Sequence, residues 1–164
     1  MLLQRGVRVA GTNALRRALD MSDPAALEVL LAHGGDANEP ASGPLASDWR
    51  APLLRAIALR RSPRHIEALL AAGADPSACT PGGVSAYRLA AQVGMPDVAE
   101  ILRRAGAAEP LSLDEQFVAA CVRADAAEAR RIQTRRPNLP GSLPEVQLRL
   151  LPDTVAWGAT LRRA

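Results

Sequence analysis

The sequence predicts an all-α fold, a solenoid of stacked helix-turn-helix units, on three observations. An amphipathic segment closed by a glycine occurs three times, as LEVLLAHGGDAN, IEALLAAGADPS and VAEILRRAGAAE, with Gly34, Gly73 and Gly106 at the stops. These glycines lie 39 and then 33 residues apart. A second apolar segment opens ahead of each, at Leu15, Leu53 and Tyr87, spaced 38 and then 34. Two short helices and a turn in a period of ~33 residues are the signature of an array in which each unit buries its apolar side on the next.

The spacing divides residues 1–164 into a single array. It has a partial unit (1–10), three units (about 11–40, 49–79 and 80–110), a divergent unit (111–150) and a terminal half-unit (151–164). MLLQRGVRV reads as the tail of an outer helix. NALRRAL (13–19), APLLRAIAL (51–59) and SAYRLAAQV (85–93) read as short inner helices. In these, Ala18, Ala56 and Ala90 lie three residues beyond each leading apolar residue and permit close helix approach.

The outer helices are expected over 24–33, 63–72 and 96–105. Asp23-Pro24 and Ser62-Pro63 each pair a side-chain acceptor at the N-cap with a proline at the first helical position, where no N–H is missed. Pro96-Asp97 is assigned the same part. Leu27, Leu30 and Leu31, then Ile66, Leu69 and Leu70, then Val98, Ile101 and Leu102, recur at helical spacing. The glycines that follow suit the left-handed stop. DPSACTPGGV has turn chemistry.

Beyond residue 110 the joints change. Ser112 and Glu115 form a capping-box pattern ahead of EQFVAACVRAD, an inner helix led by Phe117. AAEARRIQ reads as its outer helix, with no glycine stop. Ser142 and Glu145 suggest a second capping box and a short helix. LLPDTVAWGATLRRA resembles one more inner helix without a partner. Leu2 and Leu3 at one end, and Val155, Trp157 and Leu161 at the other, either fold back on adjacent helices or await cover from outside the array.

These units resemble ankyrin repeats, whose pattern runs TPLHLAA, a short turn, a second helix, then LLxxGADVN. The third unit, GGVSAYRLAAQVGMPDVAEILRRAGA, matches best; the others match as RAPLLRAIAL with PRHIEALLAAGADPSA, and GTNALRRAL with AALEVLLAHGGDANE. The family's Thr and His, which bond to each other, are absent. Asn13, Ala51 and Ser85 stand in the Thr place, and Arg16, Leu54 and Arg88 in that of His. The resemblance covers residues 11–110 well and the remainder weakly. It implies an ankyrin-like stack and a protein partner held along the turns and inner-helix face, here Arg50, Ala58, Leu59, Pro81, Gly82, Val84, Gln92 and Val93.

Composition narrows the function classes. Apolar residues make up 48% but aromatics only 2%, which suits stacked small side chains better than an aromatic-lined ligand pocket. All 20 basic residues are arginine, and the net charge is only +3. The excess sits at the end, with seven Arg against two acids from Ala129 onward. No apolar run reaches the ~18 residues of a membrane span, and Arg5 and Arg8 interrupt the opening segment, so neither a secretory signal nor a membrane partner is expected. Cys79 and Cys121 lie far apart without metal-ligand spacing, which fits a reduced, cytoplasmic protein.

Catalytic signals are weak. His33, beside a helix-ending glycine, and His65, at the start of an outer helix, read as surface or cap positions. Cys121 reads as a buried, inert thiol, and Cys79 as a turn residue without a basic partner. GxSxG, HExxH and phosphate-cradling loops are absent. The expected function is therefore non-catalytic protein binding, with no enzyme activity, cofactor or metal.

Two further features bear on the partner. The connection NEPASGPLASDWR is five residues longer than its counterpart and ends in Trp49 and Arg50, a hot-spot composition or a loop held by its own tryptophan. Arg50, Arg55, Arg60, Arg61 and Arg64 form either a solvated face or an edge for carboxylates or phosphates. Of these, Arg60 and Arg61 join the candidate surface. The alternatives are an arginine-edge binder of nucleic acid or an acidic partner, and a fragment of a longer ankyrin protein without independent function. The basic tail carries a single aromatic, Trp157, among its seven arginines, so nucleic acid is not the expected partner.

Overall fold

The structure, a computed structural model, describes residues 9–40 and 51–151. Expectations for Leu2, Leu3, Trp49, Arg50, Val155, Trp157 and Leu161 lie outside the described residues. Among those described, the chain is helical and has no strand: α1 (Ala14–Asp20), α2 (Pro24–Ala32), α3 (Pro52–Ala58), α4 (Pro63–Ala71), α5 (Ala86–Gln92), α6 (Pro96–Arg104), α7 (Leu113–Val122), α8 (Ala126–Arg135) and α9 (Glu145–Leu148). No described helix is long and apolar enough to cross a membrane.

The described residues form two compact units, one running to Ala90 and including Met95–Glu109, the other comprising Ala91–Gly94 and the chain from Pro110. In the first, α1 packs on α2 and α3 on α4. The outer helices then lie in series, α2 against α4 and α4 against α6, with α1 beside α3. Ala18, Ala56 and Ala90 are all buried, as close helix approach requires. Leu27, Ile66, Leu69, Val98 and Leu102 form the inward faces of the outer helices, fully shielded from water. Each fully buried side chain of this size contributes roughly 1.5–3 kcal/mol.

The stops behave as their chemistry demands. Gly34, Gly73 and Gly106 have φ of 84°, 86° and 83°, the left-handed region that ends a helix. Asp23 accepts the Ala25 N–H at 2.9 Å, and Pro24 starts α2.

Three joints differ from expectation. Ser62 occupies the N-cap of α4, but its hydroxyl bonds the ring of His65 and caps no backbone N–H. Pro96 is the first residue of α6, as expected, but the N-cap ahead of it is Met95, whose side chain caps no backbone N–H, and Asp97 lies in the first turn. The Ser142–Glu145 box does not form. Pro144 is the N-cap there, so α9 begins at Glu145 and leaves Ser142 outside it.

In the second unit α7 and α8 form a hairpin. The Ser112–Glu115 capping box is complete: Ser112 Oγ accepts from the Glu115 N–H at 3.2 Å, and Glu115 Oε2 accepts from the Ser112 N–H at 2.7 Å. Asp125 accepts the Glu128 N–H at 3.0 Å and caps α8. Phe117, Val118, Cys121, Ala129, Ile132, Leu139 and Leu143 share one apolar cluster.

Candidate binding surface

The inner helix α3 ends in a turn that carries four of the residues expected at a binding face, Ala58 to Arg61. Ala58 is its last residue and half-buried; Leu59 caps it and is 36% exposed. Arg60 follows with φ 53°, a left-handed conformation that an arginine adopts at some cost, and its side chain is exposed. In the next connection Thr80 bonds back to Val84 at 2.9 Å through its N–H, and Cys79 bridges Ser85. That tight turn leaves Pro81 and Gly82 exposed and Val84 half-buried. Gln92 ends α5 and Val93 follows it, both half-buried. The fold thus gathers Ala58–Arg61 at one turn and Pro81–Val84 at another, and no hydrogen bond or ion pair joins the two turns among the described residues. Trp49 and Arg50 lie outside them.

Arg61 departs from this surface. Its Nε donates to the Leu19 carbonyl at 2.6 Å and its guanidinium also reaches the Asp20 carbonyl at 3.2 Å. Both carbonyls belong to the C-terminal end of α1, where free acceptors and the negative end of the helix dipole favour a cation. Arg61 therefore ties one hairpin to the next. Its neighbours do likewise. Arg55 pairs with Asp20 of α1, and Arg64 makes a two-pronged pair with Glu28 of α2 at 2.7 and 3.0 Å. The arginine cluster is thus largely engaged in stitching successive hairpins. Arg60 is the described member whose side chain makes neither an ion pair nor a hydrogen bond among the described residues.

His65 corrects the surface reading. Its side chain has no exposure to water. It lies four residues before Leu69 on the inward face of α4, a spacing visible in the sequence, with Ile66 beside it. Nδ1 lies 2.9 Å from Ser62 Oγ, while Nε2 makes no hydrogen bond of normal geometry. Burial lowers the ring's proton affinity below the ordinary value, and the Arg61 charge lowers it further, against weaker opposition from Asp23, Glu28 and the Met21 backbone. His33 does sit at the surface, its Nδ1 donating to the Val29 carbonyl at 2.8 Å.

At the places where the ankyrin pattern carries Thr and His, other contacts appear. Ser85 accepts the Arg88 N–H at 3.2 Å and bonds Glu109 through its hydroxyl; Arg88 pairs with the same carboxylate at 3.2 Å. Leu54 is simply buried.

No three-residue group of His, Cys, Asp or Glu is placed to hold a metal among the described residues. Burial raises the pKa of the Cys121 thiol, which disfavours the nucleophilic thiolate. Cys79 is exposed, with its thiol donating to the Ser77 carbonyl at 3.3 Å. No protein-family model matches this chain, and a comparison with curated proteins finds no significant match.

Proposed function

We propose that this chain is a non-catalytic protein-binding scaffold built from ankyrin-like repeats. The observation that carries the reading is the serial packing of α2, α4 and α6, each pair of neighbours repeating the same helix, left-handed glycine and turn. An array of that kind offers its turns as a preorganised surface, so little ordering cost accompanies association. Exposed Leu59 and Arg60 at one turn, and Pro81 and Gly82 at the next, are the residues offered to a protein partner. Engagement of Arg55, Arg61 and Arg64 within the fold favours this reading over an anion-binding edge on the second hairpin.

The test is affinity capture from the source cell with the intact chain, repeated with Trp49→Ala and with Leu59→Asp/Arg60→Glu. A partner retained by the first chain and lost from a variant that still folds supports the reading. Capture indifferent to both variants, or turnover by the isolated chain, overturns it.

A further inference from the structure

Arg130, Arg131, Thr134 and Arg135 are all exposed on α8, together with Ala127. At 100° per residue these five positions fall in one arc of about 140°. The opposite side of the helix is the buried one, holding Ala129 and Ile132. The solvent face of α8 is therefore a strip of three guanidiniums around two small side chains, bordered by the half-buried carboxylate of Glu128, which pairs with Arg131.

Charge pairing within this unit sharpens the point. Every described carboxylate from Pro110 onward is engaged: Asp114 with Arg136 at 2.7 Å, Glu115 in its capping box, Asp125 at the α8 N-cap, Glu128 with Arg131 at 3.3 Å, and Glu145 with Arg149. Arg130 and Arg135 have no ion-pair partner among the described residues. Helix α6 shows the contrasting case. Its exposed Arg103 and Arg104 both hold Glu100, at 2.6 and 2.9 Å, and keep that carboxyl down at about 2.

We infer that the solvent face of α8 docks an acidic segment of a partner protein, with Arg130 and Arg135 taking its carboxylates. Guanidiniums bind carboxylates through paired N–H donors, and Arg130 and Arg135 set two such forks on the strip, about 7.5 Å apart along the helix axis. Nucleic acid is the weaker match. The one aromatic side chain among this unit's described residues, Phe117, is buried and offers no face for a base. Two unpaired cations also neutralise too few phosphates for firm backbone binding. The strip belongs to the second unit and shares no residue with the Leu59–Arg60 turn, so it stands or falls independently of the function proposed above.

The experiment uses the full chain with two fluorescent probes, a short Glu/Ser peptide and a single-stranded oligonucleotide of equal length, followed by anisotropy at low ionic strength. The peptide is expected to bind more tightly than the oligonucleotide. Arg130→Glu/Arg135→Glu should weaken peptide binding by about tenfold or more, while Arg103→Glu/Arg104→Glu and Leu59→Asp/Arg60→Glu leave it within a factor of about two. Far-UV circular dichroism checks folding, with Arg130→Gln/Arg135→Gln as the milder variant. Equal loss in both arginine pairs means net charge alone and overturns the assignment. So does tighter binding of the oligonucleotide, or failure of the peptide to bind.

Discussion

Asn38 holds Asp75 across two successive turns: its side-chain Oδ1 accepts the Asp75 backbone N–H at 2.8 Å. The same amide donates from Nδ2 to the Gly73 carbonyl at 2.8 Å, so one side chain satisfies both a donor and an acceptor at the left-handed stop of α4. Asn38→Ala removes two hydrogen bonds between successive hairpins and is expected to cost about 1–2 kcal/mol. Urea unfolding followed by circular dichroism measures it. An unchanged midpoint would show that water replaces both bonds without loss.

Neighbouring arginines should behave differently. Arg61→Ala strips a cation from the α1 carbonyls and is expected to destabilise by about 1 kcal/mol. Arg60→Ala touches no described partner and should stay within about 0.5 kcal/mol. Parallel denaturant melts distinguish the two, and equal effects would contradict the division of this pair into a tie and a surface residue.

Stability should fall on mild acidification. The folded state holds the His65 pKa below 6.5, so between the two values the unfolded chain binds more protons than the folded one. This stabilisation is complete above 6.5 and declines as the pH drops from there to the folded pKa. Between neutral pH and about pH 5, wild type should lose more stability than His65→Gln. Identical pH slopes for the two chains would show that His65 is not the group responsible.

Backbone conformation makes its own prediction. Gly73→Ala places a Cβ at φ 86° and is expected to cost about 1 kcal/mol, although nothing lies within 4 Å to clash with it. Ala124 has φ 57° at the end of α7, where Ala124→Gly should be neutral or stabilising by up to about 1 kcal/mol. Thermal melts of both variants provide the comparison; a clear loss in Ala124→Gly would mean the turn is not left-handed in solution.

Burial of the outer-helix leucines is tested most directly by Leu69→Ala and Leu102→Ala, each expected to cost roughly 2–5 kcal/mol. A loss below about 0.5 kcal/mol would mean that the inward faces are misplaced.

Helix positions were largely legible in the sequence because cap, apolar spacing and stop agreed locally. Proline at the first helical position and glycine after the last bracket α2 and α4 to within a residue, and Ser112 with Glu115 placed α7. What could not be read is where the polar side chains go. Ser62 has two possible uses, a backbone N–H or the His65 ring, and only packing decides between them. The arginines of the second hairpin form a cluster in sequence, yet their partners Asp20 and Glu28 lie 35 and 36 residues away, beyond any local pattern. The Leu59–Arg60 turn was legible from its place after an inner helix, whereas the role of Arg61 depends on α1 lying beside α3.

The two thiols differ in a way that turns the protein into its own probe. Cys79 is open to solvent and Cys121 is sealed in the apolar cluster beside Phe117. A maleimide should modify the first at once and the second only when the α7–α8 hairpin opens. The rate of the slow reaction then reports how often that hairpin breathes, without any engineered label.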